Sequence, residues 1–247
     1  MLANYHTHTR WCNHATGEAE DYILQAIRLG LKEIAITDHI PHPDNNDPYR
    51  MMWEDFDEFN TLLDQAIDKY KDLITIYKGF EAEYYPDEMD LYRNFKEKYG
   101  YTFMILGQHR CGPARQQSSF RITTPEQVEL YTRTVCEALE TGLFVMFAHP
   151  DLFMYSYPQW HQHTEKAIRT IFSTCQRLNI PVEINGKGYS RRSPYPCLEA
   201  WQLAKDYPDL KILINADAHS PEDIYNDSMK ELEQKARELG IPVTEIL

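Results

Sequence analysis

Several things are scarce or missing in this sequence. No apolar run approaches the ~18–20 residues that a membrane-spanning helix needs. The opening "MLANYHTHTR" has no basic stretch followed by an apolar one, so no signal peptide is expected. Cysteine is sparse: Cys12, Cys111, Cys136, Cys175 and Cys197 are odd in number, scattered, and form no C-x-x-C. That argues against a disulfide framework and for reduced thiols in a cytoplasm. Positive charge is outnumbered, with 25 Lys and Arg against 38 Asp and Glu, a net of −13. Such a surface repels nucleic acid and anionic membrane, so neither is an expected partner. There is no Gly/Ser linker and no shift in composition, so one domain over residues 1–247 is expected. What remains, 43% hydrophobic and 26% charged, is enough for a large buried core.

The apolar residues fall into a regular alternation. Short runs recur at 2–9, 32–39 ("KEIAITDH"), 73–84, 102–109 ("TFMILGQH"), 143–150 ("LFVMFAHP"), 181–186 and 211–219 ("KILINADAH"). Amphipathic stretches separate them at 18–30, 54–71, 87–99, 125–141, 163–178, 195–206 and 221–239. A repeated strand–helix order implies a parallel sheet. Thr16 is the expected N-cap of the first helix and Gly30 its stop. The polar segments 40–53 and 110–124 read as loops at strand ends, and "GIPVTEIL" as a short added strand or a tail.

Histidine is concentrated where the strands end. "NYHTHTRWCNH" carries His6 and His8, which a strand would point the same way, about 7 Å apart. His14 follows on the loop. His39 ends the second strand, His109 the fourth and His149 the fifth, while Asp217 and His219 share one face at the end of the seventh. Glu81 closes the third in "KGFEAE". Seven of ten histidines at strand C-termini is not the scatter expected of core histidines. That rim is where α/β barrels build their sites. His42, His161 and His163 lie outside the pattern. Imidazoles with a few carboxylates suit zinc, manganese or iron. Nine such ligands are too many for one ion and point to about three. A cluster of this kind makes hydroxide from water near neutral pH and neutralises phosphate oxygens.

These motifs, "HTHT", "TDH", the Glu of "GFEAE", "GQH", "AHP" and "DAH" in order, resemble those of the PHP (polymerase and histidinol phosphatase) superfamily. The loops "CNHATG" and "VEINGKGYSRR", with "SPYP" after them, are similar to the histidinol-phosphatase branch. The resemblance implies a distorted (β/α)7 barrel of parallel strands with a metal site of three divalent ions at its C-terminal rim. It implies one ion on His6, His8, Glu81 and Asp217, and a second bridged by Glu81 and held by His109 and His149. A third would sit on His14, His39 and His219. Gln108 departs from the small and β-branched pair usual before the fourth-strand histidine, and Asp38 stands where this branch often has Glu.

A phosphate needs further cations. Lys187, Arg191 and Arg192 follow the sixth strand on the same rim, and Arg110, Arg115 and Arg121 follow His109. Arginine's fork matches phosphate oxygens. Arg191 or Arg192 is the expected clamp, then Lys187. Glu183 and Asn185 are expected to meet a substrate ammonium or imidazole, with Glu83 and Asp38 as further acidic partners. The expected activity is hydrolysis of a small phosphate monoester by a metal-activated hydroxide, with no separate side-chain acid. L-histidinol phosphate, an intermediate of histidine biosynthesis, is the leading substrate. The alternatives are another small phosphate ester, an amidohydrolase, which also opens on H-x-H, or a non-catalytic metal-binding module.

Overall fold

The computed structural model describes residues 1–45, 47–112 and 115–247. Seven parallel strands form one sheet: β1 (Ala3–Asn4), β2 (Glu33–Ile36), β3 (Thr75–Ala82), β4 (Phe103–Leu106), β7 (Met146–Phe147), β8 (Val182–Asn185) and β9 (Ile212–Asn215). They neighbour one another in chain order. The numbering skips to β7 because β5 (Arg110–Cys111) and β6 (Gln117–Ser118) pair antiparallel in a separate ribbon, within the segment expected to be a loop. The strands are shorter than the apolar runs suggested, because several runs leave the ladder early to form the rim.

The sheet closes on itself. Thr7 bridges Ala218 in parallel, and the His8 amide donates to the Ala218 carbonyl at 2.8 Å. Below that bridge the side chains of two asparagines replace the ladder. Asn215 Oδ1 accepts from the Tyr5 amide at 2.9 Å, and Asn4 Oδ1 accepts from the Ala216 amide at 2.8 Å. "GIPVTEIL" adds a single bridge from Val243 to Ile212.

Strand alternation sorts the core into two layers. Tyr5, Ala35, Phe103, Ile105, Met146, Ala148 and Leu213 form one buried cluster, which fills the barrel. Their neighbours Ile34, Ile36, Met104, Leu106, Phe147, Val182, Ile184, Ile212 and Ile214 belong to a second cluster, shared with the helices. Counting on by twos from the inner residues leads to Gly107 and His109 after β4, and to Asn215 at the end of β9 with Asp217 and His219 beyond it. In β8 the same parity puts Glu183 and Asn185 inside.

The outer helices are α1 (Ala19–Leu29), α2 (Phe56–Tyr70), α3 (Met89–Tyr99), α4 (Pro125–Glu140), α5 (Gln162–Leu178) and α8 (Asp227–Glu238), with short α6 (Gly186–Ser190) and α7 (Leu198–Gln202). Each buries an apolar stripe, as α5 does with Ala167, Ile168, Ile171, Phe172 and Cys175. The α1 stop is Gly30, at φ 76°. Its N-cap is Glu18, not Thr16 as the sequence suggested: Glu18 and Asp21 form a reciprocal capping box. The Thr16 amide is instead drawn to the His219 carbonyl at 2.9 Å, which ties the His14 loop to the end of β9.

Candidate metal centre

All nine expected metal-binding side chains converge at the C-terminal mouth of the barrel. Glu81 stands at the centre. Its Oε2 lies 3.3 Å from His6 Nε2, 3.3 Å from His8 Nε2 and 3.1 Å from His39 Nδ1. Its Oε1 lies 2.8 Å from His149 Nε2 and 3.5 Å from His109 Nε2. One carboxylate thus faces two separate groups of imidazoles, the arrangement a bridging ligand requires. Asp217 Oδ1 completes the first group, 3.4 Å from His8 Nε2 and 3.7 Å from His6 Nε2. Two of these residues reach inward from left-handed backbone, His149 at φ 34° and Asp217 at φ 49°. Non-glycine residues hold that conformation only where surrounding structure enforces it.

In four of the rings a hydrogen bond on the far side fixes which nitrogen is free. His14 Nδ1 contacts the Cys12 carbonyl at 2.7 Å, and His219 Nδ1 contacts the Asp217 carbonyl at 2.9 Å. A carbonyl can only accept, so both Nδ1 atoms carry the proton and both Nε2 atoms carry lone pairs. Yet those two Nε2 atoms lie 3.0 Å apart. Two lone pairs at that distance repel unless a cation lies beside them, and the Lys187 ammonium, 2.7 Å from His219 Nε2, is one such cation. His6 Nδ1 is likewise held by Glu183 at 2.9 Å and His109 Nδ1 by Glu83 at 3.1 Å, freeing Nε2 toward the centre. Ring nitrogens fixed this way by carboxylates and carbonyls are the usual outer partners of metal-binding histidines. The Asp217 Oδ1 and His8 Nδ1 atoms are buried without a hydrogen bond among the described residues. The donor set therefore fits divalent metal.

One grouping differs from expectation. His39 was expected beside His14 and His219, and its ring does lie 5.5 Å from that of His14. Its Nδ1, however, belongs with Glu81 and His109. The cause is local: residue 39 bridges residue 81 across adjacent strands, which draws the ring toward the carboxylate. Cys12 lies within reach of His8 and His219, but burial pushes its thiol up to about 12, so it stays a neutral thiol.

The electrostatics match this crowding. Burial raises the Glu81 carboxyl, but the imidazoles of His109, His6 and His39 more than reverse this and hold it well below the usual range. Asp217 is raised by burial and lowered further by Lys187 and His6. Burial drives His39 well below its ordinary value, and burial with His8 takes His219 down to about 2. Neutral imidazoles and ionised carboxylates are the forms that bind metal, and His6 and His149, which burial lowers but Glu183 and Glu81 hold above the ordinary imidazole value, would release a proton on binding.

The centre lies in a cleft of about 430 Å³. Arg191, Lys187, Arg50 and Arg110 line it, as do Asp47, Tyr49, Phe120 and Tyr195. Lys187 Nζ sits 2.7 Å from His219 Nε2 and 3.6 Å from Asp217 Oδ1, among the metal-type side chains. Arg192 is not part of the lining. It adopts φ 53° and acts on Glu231 of α8 instead.

The acidic residues expected to meet substrate have other partners. Glu183 and Asn185 are fully buried in the barrel, as their strand parity dictates. Glu183 accepts from His6, from the His149 amide at 3.2 Å and from Asn185 at 2.7 Å. Asn185 also donates to Asp217 at 3.1 Å and caps α6 through the Gly188 amide at 2.7 Å. Both hold the metal-type residues from below. Glu83 pairs with Arg50 and His109, and Asp38 accepts from the Thr9 amide at 2.8 Å. Gln108 spans the Tyr84 amide and the Arg110 carbonyl, away from the cleft.

Sequence reasoning missed Arg50, Asp47 and Gly107. A Cβ on Gly107 would stand 1.8 Å from Glu81 Oε1, so the absence of a side chain there makes room for the central carboxylate. A glycine inside a strand pattern, which marks a close approach, was the available signal.

This geometry has counterparts. "Probable histidinol-phosphatase" of Deinococcus radiodurans is 23% identical over 247 residues, covering 94% of this chain and 92% of that one. A protein of the same name from Schizosaccharomyces pombe is 23% identical, covering 91% and 82%. Histidinol phosphate phosphatase of Lactococcus lactis, solved with zinc, L-histidinol and phosphate, shares the fold at a TM-score of 0.72 with 16% identity, covering 98% of this chain and 95% of that one. The family model described as PHP domain matches residues 4–187, the span that carries the rim motifs from His6 to His149. On that match, and on a seven-stranded parallel barrel with imidazoles gathered at its mouth, the chain belongs to the PHP domain family.

Proposed function

We propose that this protein is a metal-dependent phosphomonoesterase whose substrate is L-histidinol phosphate. The observation that carries the reading is Glu81, a buried carboxylate whose two oxygens face two separate groups of imidazoles. His6, His8, Glu81 and Asp217 would hold one ion, and Glu81, His109 and His149 a second. His14 and His219 would hold a third, with His39 between the last two. Divalent ions there would acidify water and offset the charge of a phosphate ester. Glu183, Glu83 and the Cys12 and Asp217 carbonyls keep the rings in the required tautomers. Arg191 approaches from the cleft wall to meet phosphate oxygens, and Lys187 adds charge from below.

Arg191→Lys should lower kcat/KM about ten- to a hundredfold, the worth of a forked contact to an anion, with metal content unchanged. Arg192→Lys should be parent-like, since that residue is not part of the cleft lining. Steady-state kinetics on a phosphate ester reads both; parent-like kinetics in Arg191→Lys would move the clamp to Arg50 or Arg110.

The choice of substrate is tested by rate. Asp47, 3.5 Å from Arg50 and with Tyr49 and Phe120 nearby, is the cleft-wall carboxylate outside the metal-type set that a cationic imidazole or ammonium would share with Arg50. Metal-replete protein should prefer L-histidinol phosphate over an uncharged aryl phosphate by about ten- to a hundredfold in kcat/KM. A second reading, another small phosphate ester, is favoured by the internal use of Glu183, Glu83 and Asp38, which leaves little acidic surface for an amine. Preference for a sugar phosphate would select it.

A further inference from the structure

The cleft contains a phenol that neither the metal-type cluster nor the arginine clamp accounts for. Tyr195 lines the cleft, yet the residue is only 7% exposed. Its hydroxyl makes no hydrogen bond to any described residue; those of Tyr101 and Tyr131 also lack a partner, but they are sealed in the core, whereas Tyr195 stands on the cleft. A buried phenol normally finds one.

The ring is held firmly. A Cβ on Gly188 would stand 2.7 Å from Tyr195 Cε2 and 2.6 Å from its carbonyl oxygen, so the ring lies flat on bare backbone at the start of α6. His149 meets it edge-on, with ring centroids 6.4 Å apart. Two residues further on, the Cys197 amide donates to buried Asp151 Oδ2 at 2.7 Å, and Trp201 Nε1 donates to the same oxygen at 3.1 Å. Asp151 itself follows His149 by two residues. The segment that carries Tyr195 is thus fastened to the turn that carries a metal-type histidine.

We propose that Tyr195 is a substrate-contacting residue that donates a hydrogen bond from its hydroxyl to a non-bridging oxygen of the phosphoryl group. The inference rests on the phosphatase reading. A phenol is protonated at neutral pH and can donate one hydrogen bond. That suits a fixed donor; transfer of the proton to the departing alkoxide is the alternative that the comparison of leaving groups separates. A donor aimed at charge that grows in the transition state needs this rigid placement.

Tyr195→Phe tests the inference, because it keeps the ring on Gly188 and removes only an unpartnered oxygen. The metal-loaded variant should keep the parent's melting temperature and metal content. Its kcat/KM should fall about ten- to a hundredfold, by the same factor for 4-nitrophenyl phosphate and for an alkyl phosphate. Inhibition by inorganic phosphate should weaken as well, a change that a role in packing alone would not produce. Parent-like kinetics and phosphate inhibition would overturn the assignment, and a loss confined to the alkyl ester would replace it with a proton donor to the leaving group. If the parent itself hydrolyses none of these esters, the phosphatase reading falls and this assignment falls with it.

Discussion

Glu81→Gln should leave the protein folded but short of two ions and more than a hundredfold slower. The substitution is isosteric, so the barrel's packing is undisturbed. What changes is charge: a carboxylate with five imidazoles around it becomes an amide, one end of which is a donor. An NH2 group cannot ligate a metal, and it would face imidazole nitrogens whose lone pairs point inward. Loss of an outer partner of a ligand costs about ten- to a hundredfold in affinity or activity, and loss of the bridge itself should exceed that. Elemental analysis and steady-state kinetics on the same preparation read the two effects together. Glu231→Gln, an exposed change on α8, is the control and should be nearly silent. Full occupancy and full rate in Glu81→Gln would remove the bridge from the third strand.

Gly107→Ala should do comparable damage without touching any metal-type side chain. The new methyl would overlap Glu81 Oε1 and crowd its Cδ and Cγ, both 2.5 Å away. In a flexible surface setting the glutamate would swing aside. Here His149, His109, His39, His8 and His6 fix it from both oxygens, and close-packed strands surround it, so either the carboxylate leaves its position or β3 and β4 separate. Overpacking of this kind costs about 1–3 kcal/mol of stability. Metal content should fall together with activity, and the melting temperature should drop by several degrees. A variant with parent metal content and rate would mean that the centre tolerates a displaced Glu81.

Much of this was legible in the sequence, and the reason is geometric. A rim residue announces itself by standing where an apolar run stops, so His39, Glu81, His109, His149, Asp217 and His219 could be read without knowing what they face. Chemistry that depends on what lies across the barrel could not. Glu183 looked available to substrate because it is acidic and close to the rim, yet strand parity turns it inward with Met146 and Leu213, where it meets His6. Arg50 sits in a polar stretch that reads as a loop, and its burial against Glu83 comes from a strand 33 residues away. The N-cap of α1 lies at Glu18, boxed with Asp21, while the Thr16 amide is held by the distant His219 carbonyl. In each case a contact distant in sequence overrode a local signal.

The asparagine-stitched seam bears on the order in which the molecule is assembled. Tyr5 and Asn215 are 210 residues apart, and the backbone ladder between β1 and β9 is replaced there by two side-chain contacts and one bridge. His6 and His8 stand on one lip of the seam, Asp217 and His219 on the other. During synthesis the first lip emerges long before the second, so no ion can be captured in its final coordination until nearly all of the chain has been made. Contacts of such long sequence separation form late in folding. Metal would then work as a clasp on the barrel's last joint. Amide exchange at Tyr5, His8, Ala216 and Ala218 should slow more on metal loading than exchange in the strands opposite.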